Sequence, residues 1–332
     1  MPNPYRSSAY RPVLDPDAAA RVAAFGPPMP IRERGLQAVR DSLEAAPPPA
    51  DMPAMADVSD AQVTGPGGPI PVRIYRPIAA DGPQPVIVHL HGGGLVMGSN
   101  HSFEPMARAL AVASGAVVVS VDYRLAPENP PPAQFEDALA VTNWVAAESD
   151  SLGFDHDRIV VCGDSAGGGV AAAVALAVRG DGGPRLFAQV LLYPGVDRDM
   201  AAPSVVGNHD APMLVHDDIV FLHELADIGA GSPHDIRRVP AYATDLSGLP
   251  QAIVVTAELD PIYDWGERYA ARLCEAGVQT TLTRYPGIYH GFLMRSEATA
   301  RGRLAMAETG ALLRAKFANP LPFALTNQPT QG

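Results

Sequence analysis

Cysteine is nearly absent from this 332-residue chain, which carries only Cys162 and Cys274. A secreted scaffold held by disulfides would carry more, so both are expected as free thiols in a reducing compartment, a single Cys162–Cys274 bridge being the alternative. Charge is sparse as well, at 18% of residues, and it leans acidic: 24 Lys and Arg against 36 Asp and Glu leave a formal net charge of -12. With no cationic surplus to displace counterions from a phosphate backbone, nucleic acid is not an expected partner, and anionic lipid is disfavoured for the same reason. No stretch of about 18 uninterrupted apolar residues occurs, and Met1 to Tyr10 lacks an apolar segment behind a basic start. The expectation is a soluble, cytoplasmic protein with no stable membrane anchor. No internal repeat of fixed period is present.

What the chain does have is 47% hydrophobic residues, enough to bury one sizeable core, and 34 Pro and 31 Gly to turn between elements. Residues 1–50 carry helix-forming runs, Asp15 to Ala24 and Arg32 to Ala46, ended by Pro47-Pro48-Pro49. They read as an N-terminal helical arm. Around Gly65-Pro66-Gly67-Gly68, two alternating runs predict an antiparallel hairpin. From Pro85 onward β-branched runs (Val86 to Leu90, Val117 to Val121, Ile159 to Cys162, Gln189 to Leu192, Ile253 to Thr256, Thr280 to Thr283) alternate with helical segments. That rhythm implies an α/β fold with a mostly parallel central sheet flanked by helices, and ligands bound at the carboxyl ends of the strands. The core is expected to comprise residues 51–194 and 246–318. The rhythm fails over 195–245, where one helical stretch, Asp218 to Ile228, stands among turns; this reads as an inserted helical cap. Residues 319–332, with Pro320, Pro322 and Pro329, read as a poorly ordered tail.

Gly163-Asp164-Ser165-Ala166-Gly167 follows the run Ile159 to Cys162 and precedes an Ala- and Val-rich helix. A strand that turns this sharply into a helix lifts the serine hydroxyl clear of the sheet, which is the geometry a nucleophile needs. His91-Gly92-Gly93-Gly94 follows Val86 to Leu90, and side-chain-free amides there can approach a developing oxyanion. Gly93, Gly94 and Ala166 are the expected oxyanion donors, with Gly92 an undecided neighbour and His91 structural. No Gly-Lys-Ser/Thr follows, which argues against a phosphate cradle. His290 lies just beyond the final strand and is the expected base; the other histidines lie upstream of the serine or in the 195–245 segment. An acid should follow a strand between the two. Asp260, held extended by Pro261, is favoured over Asp264 and Glu258. The order Ser165, Asp260, His290 is that of an α/β-hydrolase.

These motifs, with Tyr123-Arg124-Leu125-Ala126-Pro127-Glu128, Gly168, Tyr193-Pro194 and Gly291-Phe292, closely resemble the hormone-sensitive-lipase-like family of esterases, in particular its bacterial branch, over roughly residues 63–318. The resemblance implies a carboxylesterase of the α/β-hydrolase fold acting on short to medium acyl esters, without a cofactor or metal, and often a homodimer. It also implies that Asp122, Arg124 and Glu128 are scaffold residues, and their side chains are expected to satisfy one another. Many relatives continue Asp-Pro-Leu-Arg-Asp-Glu after the acid. Here Tyr263 and Trp265 replace charge with aromatic surface, which leaves the local pocket shape open. Leu95, Met97 and Tyr193 belong either to the site or to the core. A receptor on the same fold is the rival of another class, weighed down by the presence of all three of Ser165, Asp260 and His290. A metal hydrolase built on His209-Asp210, His216-Asp217 and His234-Asp235 lacks helical i, i+4 ligand spacing.

Overall fold

Short runs of Val and Ile with no polar alternation can be buried only if both faces of their sheet are covered. The computed structural model, which describes residues 12–26, 29–179 and 183–321, shows that arrangement. The strands are β1 (Asp57–Gly65), β2 (Gly68–Arg76), β3 (Gln84–Leu90), β4 (Val117–Val121), β5 (Phe154–Asp164), β6 (Ala188–Leu192), β7 (Gln251–Leu259) and β8 (Thr280–Tyr289). They form one sheet in the order β1-β2-β4-β3-β5-β6-β7-β8, parallel from β4 to β8, with the β1–β2 hairpin antiparallel at one edge. Pro66 and Gly67 make the two-residue turn between Gly65 and Gly68.

The helices are α1 (Pro16–Ala24), α2 (Ile31–Arg34), α3 (Leu36–Glu44), α4 (Glu104–Ser114), α5 (Ala133–Ala147), α6 (Ser149–Leu152), α7 (Ala166–Val178), α8 (Pro203–Gly207), α9 (His216–Asp227), α10 (Tyr263–Glu275) and α11 (Ala300–Ala318). Val86, Val88 and Leu90 face the layer that holds α5, α7 and α10, whereas Ile87 and Val118 face α1, α4 and α11. The period-2 alternation of the strands thus divides the apolar interior into two layers. α7, apolar on every side, is buried along nearly its whole length. Among the described residues no helix is long and apolar enough to cross a membrane, and both cysteines are free, Cys162 buried and Cys274 exposed.

Two expectations change. The run Arg32 to Ala46 is not one helix: Gly35, at φ 81°, breaks it into α2 and α3. Segment 195–245 holds a second helix besides α9, since Pro203 starts α8 at a position that needs no amide donor. From residue 322 on, the C-terminal tail lies outside the described residues, as does Met1 to Tyr10.

α4 and α11 pack with backbone almost in contact. A Cβ on Gly310 would stand 2.2 Å from the Ala113 carbonyl oxygen, so Gly310→Ala must push the helices apart. The expected loss is about 1–3 kcal/mol, read as a lower urea midpoint at unchanged slope; an unchanged midpoint would mean that the helices have slack.

Candidate functional site

In a parallel sheet the crevice opens where strand order reverses, and here that point lies between β3 and β5, the strands that carry the two glycine-rich motifs. Leu90 pairs in register with Gly163, so His91-Gly92-Gly93-Gly94 and Ser165 leave the sheet side by side. Ser165 sits at φ 52°, ψ -122°, outside the regions open to most side chains, at a cost on the order of 1–3 kcal/mol. Neighbouring backbone holds it there. The Ser165 amide donates to Leu192 O at 2.9 Å, and its carbonyl accepts from Gly195 N at 2.7 Å. The flanking glycines are required by the same crowding: a Cβ on Gly163 would stand 2.1 Å from Gly167 O, and one on Gly167 would stand 2.0 Å from Leu90 O.

His290, in the loop after β8, places Nε2 2.8 Å from Ser165 Oγ and Nδ1 2.8 Å from Asp260 Oδ2. An ionised carboxylate only accepts, so opposite one Nδ1 is the donor and Nε2 keeps its lone pair for the serine hydroxyl. Asp260 is fully buried, and its Oδ1 accepts from Ile262 N at 2.8 Å, which fixes the carboxylate plane. The competing acids have other partners. Asp264 accepts from Ser204 N at 2.8 Å, at the start of α8, and Glu258 accepts from Gly287 N at 3.2 Å. Tyr193, fully buried, presents an edge contact to the His290 ring at 5.0 Å.

The amides of the glycine loop differ in their partners. Gly92 N donates to Asp164 Oδ1 at 2.9 Å and is spent there. Among the described residues none accepts from the amides of Gly93, Gly94 or Ala166; Ala166, as the first residue of α7, has no intrahelical acceptor. Gly93 and Gly94 hold positive φ, 104° and 64°, which only glycine adopts at little cost. His91 is buried, stacked on Tyr123 at 4.2 Å, and Tyr123 donates to His91 O at 2.6 Å. Burial holds the His91 imidazole down at about 4, so it stays neutral.

A cavity of about 90 Å³ opens beside Ser165, with Gly94, Ala166, Leu95, Ile219 and Trp265 among its walls. Met97 is buried away from it. The scaffold residues do not satisfy one another as expected. Arg124 pairs with Asp137 of α5 at 2.9 Å, and Glu128 takes both guanidinium nitrogens of Arg40 from α3, at 2.7 and 2.9 Å. Partners in the arm and in α5 were invisible in the local motif. Arg40 also donates to Val96 O at 2.7 Å, which ties the arm to the glycine loop. Of the two departures, Tyr263 lies under the Arg284 guanidinium at 4.4 Å, whereas Trp265 faces the cavity. Among the described residues, the side chains close enough together to hold a metal ion are Asp155, His156 and Asp157. They lie near the start of β5, the end remote from Ser165.

Comparison with known proteins agrees with this architecture. A family model described as alpha/beta hydrolase fold matches residues 87–294. The chain is 38% identical to Esterase LipI of Mycobacterium tuberculosis, covering 92% of this chain and 98% of the relative. It is 44% identical to Carboxylesterase NlhH of the same organism, over 71% and 77% of the two chains. Among solved structures, the hyperthermophilic esterase of Pyrobaculum calidifontis superposes with a TM-score of 0.83 at 35% identity, over 92% of this chain and 99% of that one. Fold and relatives define a carboxylic ester hydrolase. Within that class the chain belongs to the hormone-sensitive-lipase-like esterase family of the α/β-hydrolase fold.

Asp164 carries a pH consequence. Burial raises its carboxyl from the ordinary 3.8 to about 7, although His290 and the Gly92 amide pull it down. Between those values the native state binds more protons than the unfolded chain, so stability from this group is lost as pH rises through the window and is lowest above 7. Asp164→Asn keeps an acceptor for Gly92 without the charge. Its melting temperature, relative to the parent, should gain steadily from pH 4 to 7 and level off beyond; a pH-independent difference would show that Asp164 is ionised throughout.

Proposed function

We propose that the chain hydrolyses short to medium acyl esters through an acyl-enzyme on Ser165, with His290 as general base, Asp260 as its orienting acid, and the Gly93, Gly94 and Ala166 amides as the oxyanion hole. The observation that carries this reading is the hydrogen-bonded chain from Ser165 to His290 to Asp260, 2.8 Å at each step, beside a mostly apolar cavity. His290 Nε2 removes the Ser165 proton as Oγ attacks the carbonyl carbon. The oxyanion is held by these free amides, each worth about 2.7–4 kcal/mol to the barrier. Collapse expels the alcohol, which takes the proton from His290. Water then adds to the acyl carbon by the same base and releases the acid.

The N-terminal arm (1–50) and segment 195–245 act together in this reading as the cap over the strand ends. Their contacts support it. Asp218 of α9 accepts from Ile31 N at 2.7 Å, and Arg32 donates to Glu224 at 2.8 Å while lying over the Phe221 ring. A Cβ on Gly94 would stand 2.6 Å from Leu222 Cδ2, so α9 rests directly on the glycine loop. Such cover excludes water from a site that works by fixed dipoles.

Intact-protein mass spectrometry after a fluorophosphonate is the test. The parent should gain one adduct that Ser165→Ala lacks, and ester turnover in that variant should fall about 10⁴- to 10⁶-fold. A folded parent giving neither adduct nor turnover would move the chain to a ligand-binding role on the same fold.

A further inference from the structure

The cavity is lined by Ser165, Gly94 and Ala166 but not by His290. The alcohol must leave within reach of His290 Nε2, so on the acyl-enzyme reading above it is the acyl chain that enters the cavity. Trp265 closes that space from the core side. It stands in the first turn of α10 and cannot withdraw: its indole Nε1 donates to Asp199 O at 3.0 Å, and Arg268, one turn on, donates to the Asp199 carboxylate at 2.8 Å. The helix beneath it is pressed onto the core, since a Cβ on Gly266 would stand 3.0 Å from Pro194 Cδ. His223 of α9 stacks on the indole with near-parallel rings, centroids 6.0 Å apart. Burial holds His223 down at about 4, so the facing ring is neutral. On this side the wall is therefore two flat, uncharged rings, one from the core and one from segment 195–245, with Arg198, Arg237 and Arg238 elsewhere along the lining.

We propose that Trp265, backed by His223, sets the acyl-chain length this enzyme accepts. The cavity, about 90 Å³, is smaller than the roughly 150 Å³ that holds a benzene ring in an engineered core, so a chain that outgrows it meets the indole. One methylene too many in such a pocket changes kcat/KM by about 10- to 200-fold.

The experiment compares kcat/KM for p-nitrophenyl acetate, butyrate, hexanoate and octanoate in the parent, Trp265→Ala and His223→Ala, with fluorophosphonate labelling of Ser165 in each. A second series varies the alkyl alcohol at fixed butyrate. The parent should favour acetate and butyrate. In Trp265→Ala the octanoate-to-butyrate ratio should rise at least tenfold, and in His223→Ala it should move the same way by less, with Ser165 still labelled. Ratios within twofold of the parent, or a uniform loss at every length, would overturn the proposal by making Trp265 a packing residue only. A shift confined to the alcohol series would overturn the acyl assignment. If Trp265→Ala does not fold, the sign of the His223→Ala ratio decides alone. A parent that neither labels nor turns over would instead overturn the acyl-enzyme reading on which the wall rests.

Discussion

The site depends on one crowded crossing, where α7 leaves the end of β5 beneath the loop that follows β3. Gly163 and Gly167 bring backbone within about one van der Waals contact of backbone, closer than any side chain permits. The closeness forces Ser165 into its strained turn, and the strain persists because the surrounding hydrogen bonds over-determine it. It also packs the start of α7 against the loop after β3, so one packing constraint holds Ser165 and the glycine loop side by side.

Asp164 links the two halves of that crossing. Standing next to Ser165 in the chain, it reaches across to Gly92 and consumes the first amide of the glycine loop, leaving the next two in the run without an acceptor. A buried carboxyl costs desolvation energy, which appears as its raised pKa. The fold tolerates that cost beside Ser165, where the loop must not drift. The hydrogen-bonded chain to Asp260 follows the same logic on the other side, with Ile262 N fixing the carboxylate and Tyr193 backing the imidazole.

Around this rigid edge the remaining polar contacts are long-range ties. Arg40 couples the arm to Val96 and Glu128, Asp218 couples α9 to the arm, and Ser204 and Asp264 cap each other's helices across the junction between 195–245 and the core. None is a strong interaction singly, and exposed ion pairs contribute about 0–1 kcal/mol each. Their value is geometric: they fix how the arm and segment 195–245 sit against each other, the glycine loop and the core.

The sequence by itself determined the α/β rhythm, the place of each strand, though β5 starts earlier and β8 runs further than their apolar runs suggest, and the identities of Ser165, Asp260, His290, Gly93, Gly94 and Ala166 as candidates. It could do so because glycine at a forced turn, a buried β-branched strand and the order of three motifs are properties of contiguous residues, or of their order along the chain. Tertiary structure alone decided that Gly92 is spent on Asp164, that Asp264 and Glu258 have partners elsewhere, and that Arg124 and Glu128 pair with Asp137 and Arg40 instead of each other. It also decided that of two neighbouring aromatics Tyr263 lies beneath Arg284 while Trp265 faces the cavity opposite His223. Each of these turns on which side chains from distant parts of the chain meet, and a hydrogen bond or a ring contact depends on distance and direction in space, which local pattern does not encode.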